Sequence, residues 1–497
     1  MIQTQFVAVG ERRVFVRSAG QGPAVVLLHQ SPQSSAAMLP WFELLADRYA
    51  VFAPDTPGFG HSDPLPMAQP TNPDLAAALA ELLRTLGLGP VLLYGVHTGA
   101  AIAARLALDY PQLVAGLVCD GLSAFNAEER QPLLEGYLPP FEPLWDGTHL
   151  LWLWARIREQ YIFFPWHTGT KAARIPYPLM DAQTIHANVM ELLDAGDGYR
   201  AGYRAPLLYE FGAAGAAHIS VPAWLLYRQG DVLRPHMDRL PKLPANVCVE
   251  AVADAQALSA RTLAVLAQQA VQACSVVAVQ QLAQAGSARR VVVNTAHGAL
   301  AFYAVPGQAA HATLVISDIG TPATLPPDRR AGALTLAMEL PGHGASMGWN
   351  ARALSINTFC DAVLQALEAW PADRVELRAT GGSCGLAVAL AQRLGARCSA
   401  LNLTSPMRLS DEQRERFLST LPSLAVQDSG AHLIAAWNWA RLRHLFHWWL
   451  PMDANAAVMA AAPPPQRVHA DVREMLRAGD CWAALWRVAL HVDLDRP

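Results

Sequence analysis

The stretch Gly95-Val96-His97-Thr98-Gly99 sets an imidazole at the centre of a tight turn, behind the apolar run "VLLY" and ahead of "AAIAARLAL". That order reads as strand, sharp turn and helix, with a glycine two residues either side of His97 where a side chain would collide with neighbouring backbone. A helix N-terminus disfavours a cation, so His97 is expected to have a lowered pKa and to be neutral near pH 7. A neutral imidazole is a competent general base toward water and also a nucleophile. A second turn of the same form, Gly381-Gly382-Ser383-Cys384-Gly385, carries a serine instead. An unassisted hydroxyl is a weak nucleophile, so Ser383 would need a base brought from elsewhere.

Elements able to hold such turns are written along the chain. "AVVLLH" (24–29), "YAVFAPD" (49–55), "PVLLYG" (90–95) and "LVAGLVCDG" (113–121) are short apolar strands that end in polar or glycine residues. Between them lies "NPDLAAALAELLRTLG", a helix that Asn72 can cap, with Pro73 at the first helical position and Gly87 at the end. Strand and helix alternating in this way predict a mostly parallel sheet covered on both faces. Residues 122–217 break the alternation with aromatic-rich helical patterns and are read as a lid over the strand carboxyl ends. The alternation resumes with "VPAWLLYRQGD" (221–231) and "VCVEAVAD" (247–254), followed by a long helix to about residue 285.

The second half repeats the first. "MELPGHGAS" parallels "APDTPGFGHSD", "LRATGGSCGLAVALAQRLG" parallels "LLYGVHTGAAIAARLALDY", and "VHADVREMLRAGD" (468–480) parallels "IHANVMELLDAGD" (185–197). The offsets His97–Ser383, Gly58–Gly342 and His186–His469 are 286, 284 and 283 residues, a drift small enough to indicate duplication. Two tandem α/β domains follow, 1–285 with a lid at about 122–217, and 286–497 with a lid at about 405–490. The second copy has no counterpart of "LLYRQGD" or "VCVEAVAD", so its sheet is expected to lack the last core strands.

Composition narrows the partners. The 497 residues are 52% hydrophobic and 16% charged with a net charge of -4, which gives no electrostatic reason to expect nucleic acid or an anionic membrane. The start "MIQTQFVAVGERR" lacks the basic-then-apolar pattern of a signal peptide, and the nearest approach to a membrane span, 265–286, is interrupted by glutamines. Seven scattered cysteines without a CxxC pair support neither zinc nor a disulfide framework, and a cytoplasmic protein is expected.

Four motifs in order, "LLHQSP", "APDTPGFGHSD", "GVHTGA" and "LLYRQGDVLRP", together resemble the α/β-hydrolase superfamily, in particular its lid-bearing members related to haloalkane dehalogenases and proline iminopeptidases. The resemblance places His97 at the nucleophile position, and implies oxyanion-binding N–H groups from Thr98 and from Gln30. It implies an acid at Asp231, after the seventh strand, with Asp120 after the sixth as the alternative. The histidine that the family carries after the eighth strand is missing from "VADAQALSA", where Gln256 or a neighbour stands in. If Asp231 or Asp120 reaches the imidazole, the pair would be an orienting dyad with water as the attacker. The resemblance implies no cofactor.

The expected function is therefore hydrolysis of an apolar, carbonyl-containing small molecule, an ester, a thioester or a C–C bond. The alternatives are an inactive pseudo-hydrolase serving binding or dimerisation, and a lyase or isomerase of the same fold. A short second sheet would expose an edge and favour a homodimer. Other conspicuous residues are read as structural. Asp55 and His61 shape a turn, His343 is not a base, and His149, His432, His186 and His469 pack or cap lid helices. The aromatics Trp145, Trp152, Trp154, Tyr161, Phe163, Phe164 and Trp166 form lid core. Arg156 and Arg441, matched in "WARIR" and "WARLR", are expected in buried salt bridges and not in carboxylate binding.

Overall fold

A run such as "AVVLL" carries apolar side chains at successive positions, so a strand made from it must be covered on both faces. The computed structural model, which describes residues 2–209, 215, 218–269, 273–275, 289–329, 332–370, 372–451 and 453–495, shows how this is met. The first sheet contains β1 (Gln3–Val9), β2 (Arg12–Ala19), β3 (Gln21–Leu28), β4 (Ala50–Pro54) and β5 (Val91–Val96). It continues with β6 (Val114–Asp120), β7 (Ala223–Arg228), β8 (Val247–Val252) and the short β9 (Ala273–Ser275). Val25 and Leu27 of β3 enter one hydrophobic cluster, while Val26 and Leu28 enter the other on the opposite face.

The strand order is β1-β2-β4-β3-β5-β6-β7-β8, with β9 pairing β3. From β4 across to β8 the neighbours run parallel. Sequence order therefore reverses between β3 and β5, and the loops leaving their carboxyl ends flank a crevice, the usual ligand position of an open α/β sheet. The loop after β3, the turn after β5 and the segments after β6 and β7 all meet there.

The second sheet contains β10 (Arg289–Thr295), β11 (Gly298–Val305), β12 (Gln308–Ile316), β13 (Ala333–Met338), β14 (Arg374–Thr380) and β15 (Cys398–Thr404). Its order, β10-β11-β13-β12-β14-β15, is that of the first six strands of the first sheet. Among the described residues after β15 there are helices and no further strand of the sheet. The protein is thus α/β, with two mostly parallel sheets and their helices in tandem.

Two compact units divide the chain, Met1–Glu142 with Leu153–Gln281, and Pro143–Trp152 with Leu282–Pro497. Residues 143–152, assigned to the first lid on sequence, thus group with the second unit. The expected boundary at 285/286 lies outside the described residues. The long helix to about residue 285 is corrected: it spans Ala255–Ala267, and residues 273–275 pair with Gln21–Pro23 as strand. The rest of that prediction, 270–272 and 276–285, lies outside the described residues, as do 210–214 and 216–217 of the first lid. The helix over "NPDLAAALAELLRT" is capped by Thr71 and not by Asn72, because Asp74 completes a capping box with Thr71. Asn72 instead donates from Nδ2 to the Ala101 carbonyl at 2.8 Å.

No helix among the described residues is long and apolar enough to cross a membrane.

Candidate active site

The turn after β5 is built by close approach. A Cβ on Gly99 would lie 2.4 Å from the Leu28 carbonyl oxygen, and one on Gly95 would lie 2.5 Å from the Gly99 oxygen. Between them His97 holds φ 47° and ψ −106°, a left-handed conformation that costs a non-glycine residue about 1–3 kcal/mol. Its N–H donates to the Asp120 carbonyl at 2.9 Å, and its carbonyl accepts from Ala101 N–H at 3.1 Å. The strained turn lifts the imidazole above the sheet, where Gly121 makes room. A Cβ at Gly121 would stand 2.7 Å from His97 Cδ2.

The ring meets Asp231, whose Oδ2 lies 3.0 Å from His97 Nε2. A carboxylate only accepts, so Nε2 carries the proton and donates. Asp231 also accepts from Leu233 N–H at 2.9 Å and from Arg228 Nη2 at 3.0 Å. Arg228 reaches the other way with Nε, 3.2 Å from Asp120 Oδ1. Asp120 takes the Tyr94 hydroxyl at 3.1 Å on its second oxygen. Of the two candidate acids, therefore, Asp231 pairs with the imidazole, and Asp120 is committed to Arg228 and Tyr94.

Four charged groups thus share one largely buried place, and they balance only when His97 is protonated. Burial pulls the His97 imidazole down, but the Asp231 carboxylate at Nε2, with Asp120 beyond it, outweighs burial and the Arg228 charge. The net shift is upward from 6.5. This corrects the expectation of a lowered pKa, because a carboxylate in contact acts more strongly than the partial charge of a helix end. Burial pushes Asp231 up, yet His97, the Leu233 N–H and Arg228 bring it well below the usual carboxylate range. Asp120 is raised, burial prevailing over the pull of Arg228 and His97. The His97 side chain keeps 22% of its surface exposed, against 2% for Asp231.

The loop after β3 closes another side. His29 Nε2 accepts from Thr56 N–H at 2.9 Å while Nδ1 contacts the Gln30 carbonyl at 3.0 Å, which ties the "HQSP" loop to the "DTPGFG" loop. Ser31 N–H donates to Thr98 Oγ1 at 2.6 Å, bringing Gln30 and Thr98, the two expected oxyanion residues, to adjoining positions. Asp55 is a structural hub, accepting from the N–H groups of Ser35 and His61 at 2.8 Å each. Gln256 is exposed near the start of its helix and does not replace a triad histidine.

Ser383 does not mirror His97. It has φ −71° and ψ −7°, the positive φ having moved to Gly381, and it is fully buried. Its hydroxyl, with one proton to donate, lies 2.8 Å from the carbonyl of Thr380 and 3.0 Å from that of Ile316. A Cβ on Gly382 would stand 2.1 Å from the Trp486 ring. Asp318 Oδ1 accepts from the N–H groups of Gly382 and Ile319 at 2.8 and 2.9 Å. The expected role of Ser383 as a nucleophile is therefore corrected: the turn is filled by protein and its hydroxyl is spent on backbone.

His149 and His432 use Nδ1 to accept backbone N–H from Leu144 at 3.1 Å and Gln427 at 3.2 Å, ahead of the helices Thr148–Gln160 and Ala431–Leu442. His343 is likewise structural, accepting Gly320 N–H on Nε2 at 3.1 Å, and burial lowers it to about 4. Arg156 makes no ion pair with a carboxylate among the described residues, contrary to the expected salt bridge.

Sequence reasoning missed Arg228, Tyr94 and Gly121. The i,i+3 spacing of Arg228 and Asp231 in "YRQGD" was the available signal for the first. Tyr177 was missed as well. Burial pushes its phenol up to about 12, with Asp231, Arg228 and Asp120 all close enough to act on it.

Residues 23–149 match the family model described as alpha/beta hydrolase fold, in agreement with the first sheet and its helices. Among curated proteins the chain is similar to 2-(acetamidomethylene)succinate hydrolase of Mesorhizobium japonicum, 33% identical over 129 residues, or 26% of this chain and 46% of that one. It is also similar to 2-hydroxy-6-oxo-6-phenylhexa-2,4-dienoate hydrolase of Burkholderia cepacia, 29% identical over 143 residues, or 27% of this chain and 50% of that one. The chain therefore spans about half the length of the curated relatives it matches. Among solved structures, epoxide hydrolase A from Mycobacterium thermoresistibile aligns at 20% identity and a TM-score of 0.44, covering 55% of this chain and 100% of that one.

Proposed function

We propose that the first unit is a hydrolase in which His97 and Asp231 activate water against the carbonyl of an apolar small molecule, an ester, a thioester or a C–C bond beside a carbonyl. The observation that carries this reading is the 3.0 Å contact of His97 Nε2 with Asp231 Oδ2 on a strained turn. With Nε2–H held by the carboxylate, the neutral ring presents Nδ1 as its basic atom. Nδ1 takes a proton from water as the oxygen attacks. The imidazolium formed is stabilised by Asp231 and returns the proton to the leaving group. The elbow imidazole thereby occupies the place beside the acid that a separate histidine fills in a Ser-His-Asp triad. Both curated relatives named above are hydrolases, which agrees with this choice.

The second unit, on this reading, is a duplicated copy that has lost its chemistry. Its strand order repeats the first, while Trp486 and Asp318 fill the turn that would hold a nucleophile.

Screening 4-nitrophenyl esters and acyl thioesters with wild type, His97→Ala and Ser383→Ala tests the assignment. Turnover abolished only by His97→Ala supports it. Equal turnover in wild type and His97→Ala, or loss with Ser383→Ala alone, refutes it.

A further inference from the structure

Helix Thr148–Gln160 buries Leu153, Trp154 and Ile157, and with them Arg156, which is 1% exposed. A guanidinium keeps its charge at any pH a protein meets, so in the interior it needs anions or acceptors around it. Among the described residues Gln160 Oε1 accepts from Nη1 at 3.1 Å, and the Tyr199 hydroxyl is a second hydrogen-bonding neighbour of the guanidinium. Nε and Nη2 have no hydrogen-bond partner among the described residues. What surrounds the cation is aromatic: the rings of Trp166, Tyr199 and Tyr137 lie 5.2, 5.5 and 6.0 Å from Cζ. Ring faces attract a cation, but they do not answer the directed N–H bonds of the guanidinium fork.

The two unpartnered nitrogens form the edge of the fork that grips a carboxylate with two parallel bonds. This chain uses that edge elsewhere: Arg13 holds Asp63, and Arg261 holds Glu250, each through Nε and Nη2. Arg441, the matching residue of the second unit, is only partly buried and lies over Trp145.

A path of side-chain contacts leads from Arg156 toward His97. From Tyr137 a file of rings runs through Phe164 at 5.9 Å to Phe125 at 6.4 Å and His236 at 4.7 Å. His236 accepts the N–H of Ala124, which closely follows the Gly121 that abuts His97. Gly202, beside Tyr203 of the same aromatic group, packs on Phe59, whose ring lies 6.0 Å from His29.

We propose that Arg156 receives a carboxylate at one end of the substrate, while the apolar body lies along these rings and the scissile carbonyl reaches His97. The identity of the ligand as substrate rests on the hydrolase reading above; the binding of a carboxylate at Arg156 does not.

Calorimetric titration of the full chain with 3-phenylpropanoate and with its neutral counterpart 3-phenylpropanamide tests the proposal without turnover. Wild type should bind the acid at least about tenfold more tightly than the amide, a preference that Arg156→Met erases and Arg156→Lys, which keeps the charge without the fork, reduces. If Arg156→Met does not fold, the wild-type comparison and Arg156→Lys decide the matter. Equal binding of acid and amide by wild type, binding of neither, or an acid preference that survives Arg156→Met overturns the proposal. A protein that prefers the acid but hydrolyses no ester overturns the hydrolase reading alone. One that hydrolyses esters yet does not favour the acid overturns this inference alone.

Discussion

Replacing Asp231 by Asn keeps the shape of the side chain and removes its charge. The carboxylate takes three donors, His97 Nε2 and Arg228 Nη2 at 3.0 Å and Leu233 N–H at 2.9 Å. An Asn oxygen can keep Leu233, but its NH₂ would then face His97 and Arg228, which are both donors. Removing one partner of a buried ion pair costs about 3–5 kcal/mol. Because the His97 side chain is 22% exposed, the loss should fall at the low end, about 3 kcal/mol. The pH dependence has a definite sign. His97 is raised, so its contribution is complete below about pH 6.5 and is lost as pH rises through its folded pKa. Asp231 is lowered, so its contribution is present above about pH 3.9 and is lost as pH falls through its folded pKa. The destabilisation by Asp231→Asn should therefore be greatest between about pH 4 and pH 6.5 and shrink as pH rises through the folded pKa of His97. Urea unfolding at several pH values measures this, and proton NMR of the imidazole follows His97 directly. In Asp231→Asn, burial is left as the leading influence and the ring should titrate lower than in wild type. An unchanged His97 titration, or a cost independent of pH, would refute the claim that this carboxylate keeps the ring charged.

Three further substitutions have defined outcomes. His97→Ala should lower ester turnover by about 10²–10⁴-fold, the usual contribution of a positioned general base, with wild-type circular dichroism retained. Gly99→Ala sets a Cβ 2.4 Å from a backbone oxygen; the clash should cost about 1–3 kcal/mol or more, read as a lower melting temperature. Ser383→Ala leaves the carbonyls of Ile316 and Thr380 without this donor; it should destabilise by about 1–3 kcal/mol while leaving turnover unchanged.

The strands were legible because each is a short apolar run ending in glycine or a polar residue, and the turn around His97 because it keeps glycine at both positions where a Cβ would meet backbone, Gly95 against Gly99 and Gly99 against the end of β3. Asp231 could be named as a candidate partner but not chosen over Asp120, since the choice depends on Arg228 and Tyr94 drawing Asp120 aside. The charge of His97 was misjudged for the same reason. A helix end is visible in sequence, whereas a carboxylate contributed 134 positions later is not. Ser383 looked reactive because nothing near it in sequence shows that Trp486 and Asp318 fill its surroundings. The helix drawn to about residue 285 failed where an apolar segment with glutamines suited either period, and pairing with β3 made residues 273–275 strand.

The central claim is that the neutral form of His97, held by Asp231, removes a proton from water. The most direct measurement is the pH dependence of kcat/KM for an ester that the wild type hydrolyses, taken beside the NMR titration of His97. The account predicts a rate that climbs with pH, with its midpoint above the ordinary imidazole value and coincident with that titration, and no such limb in His97→Ala. The same rising limb in both proteins, or a midpoint unrelated to the ring, would contradict it.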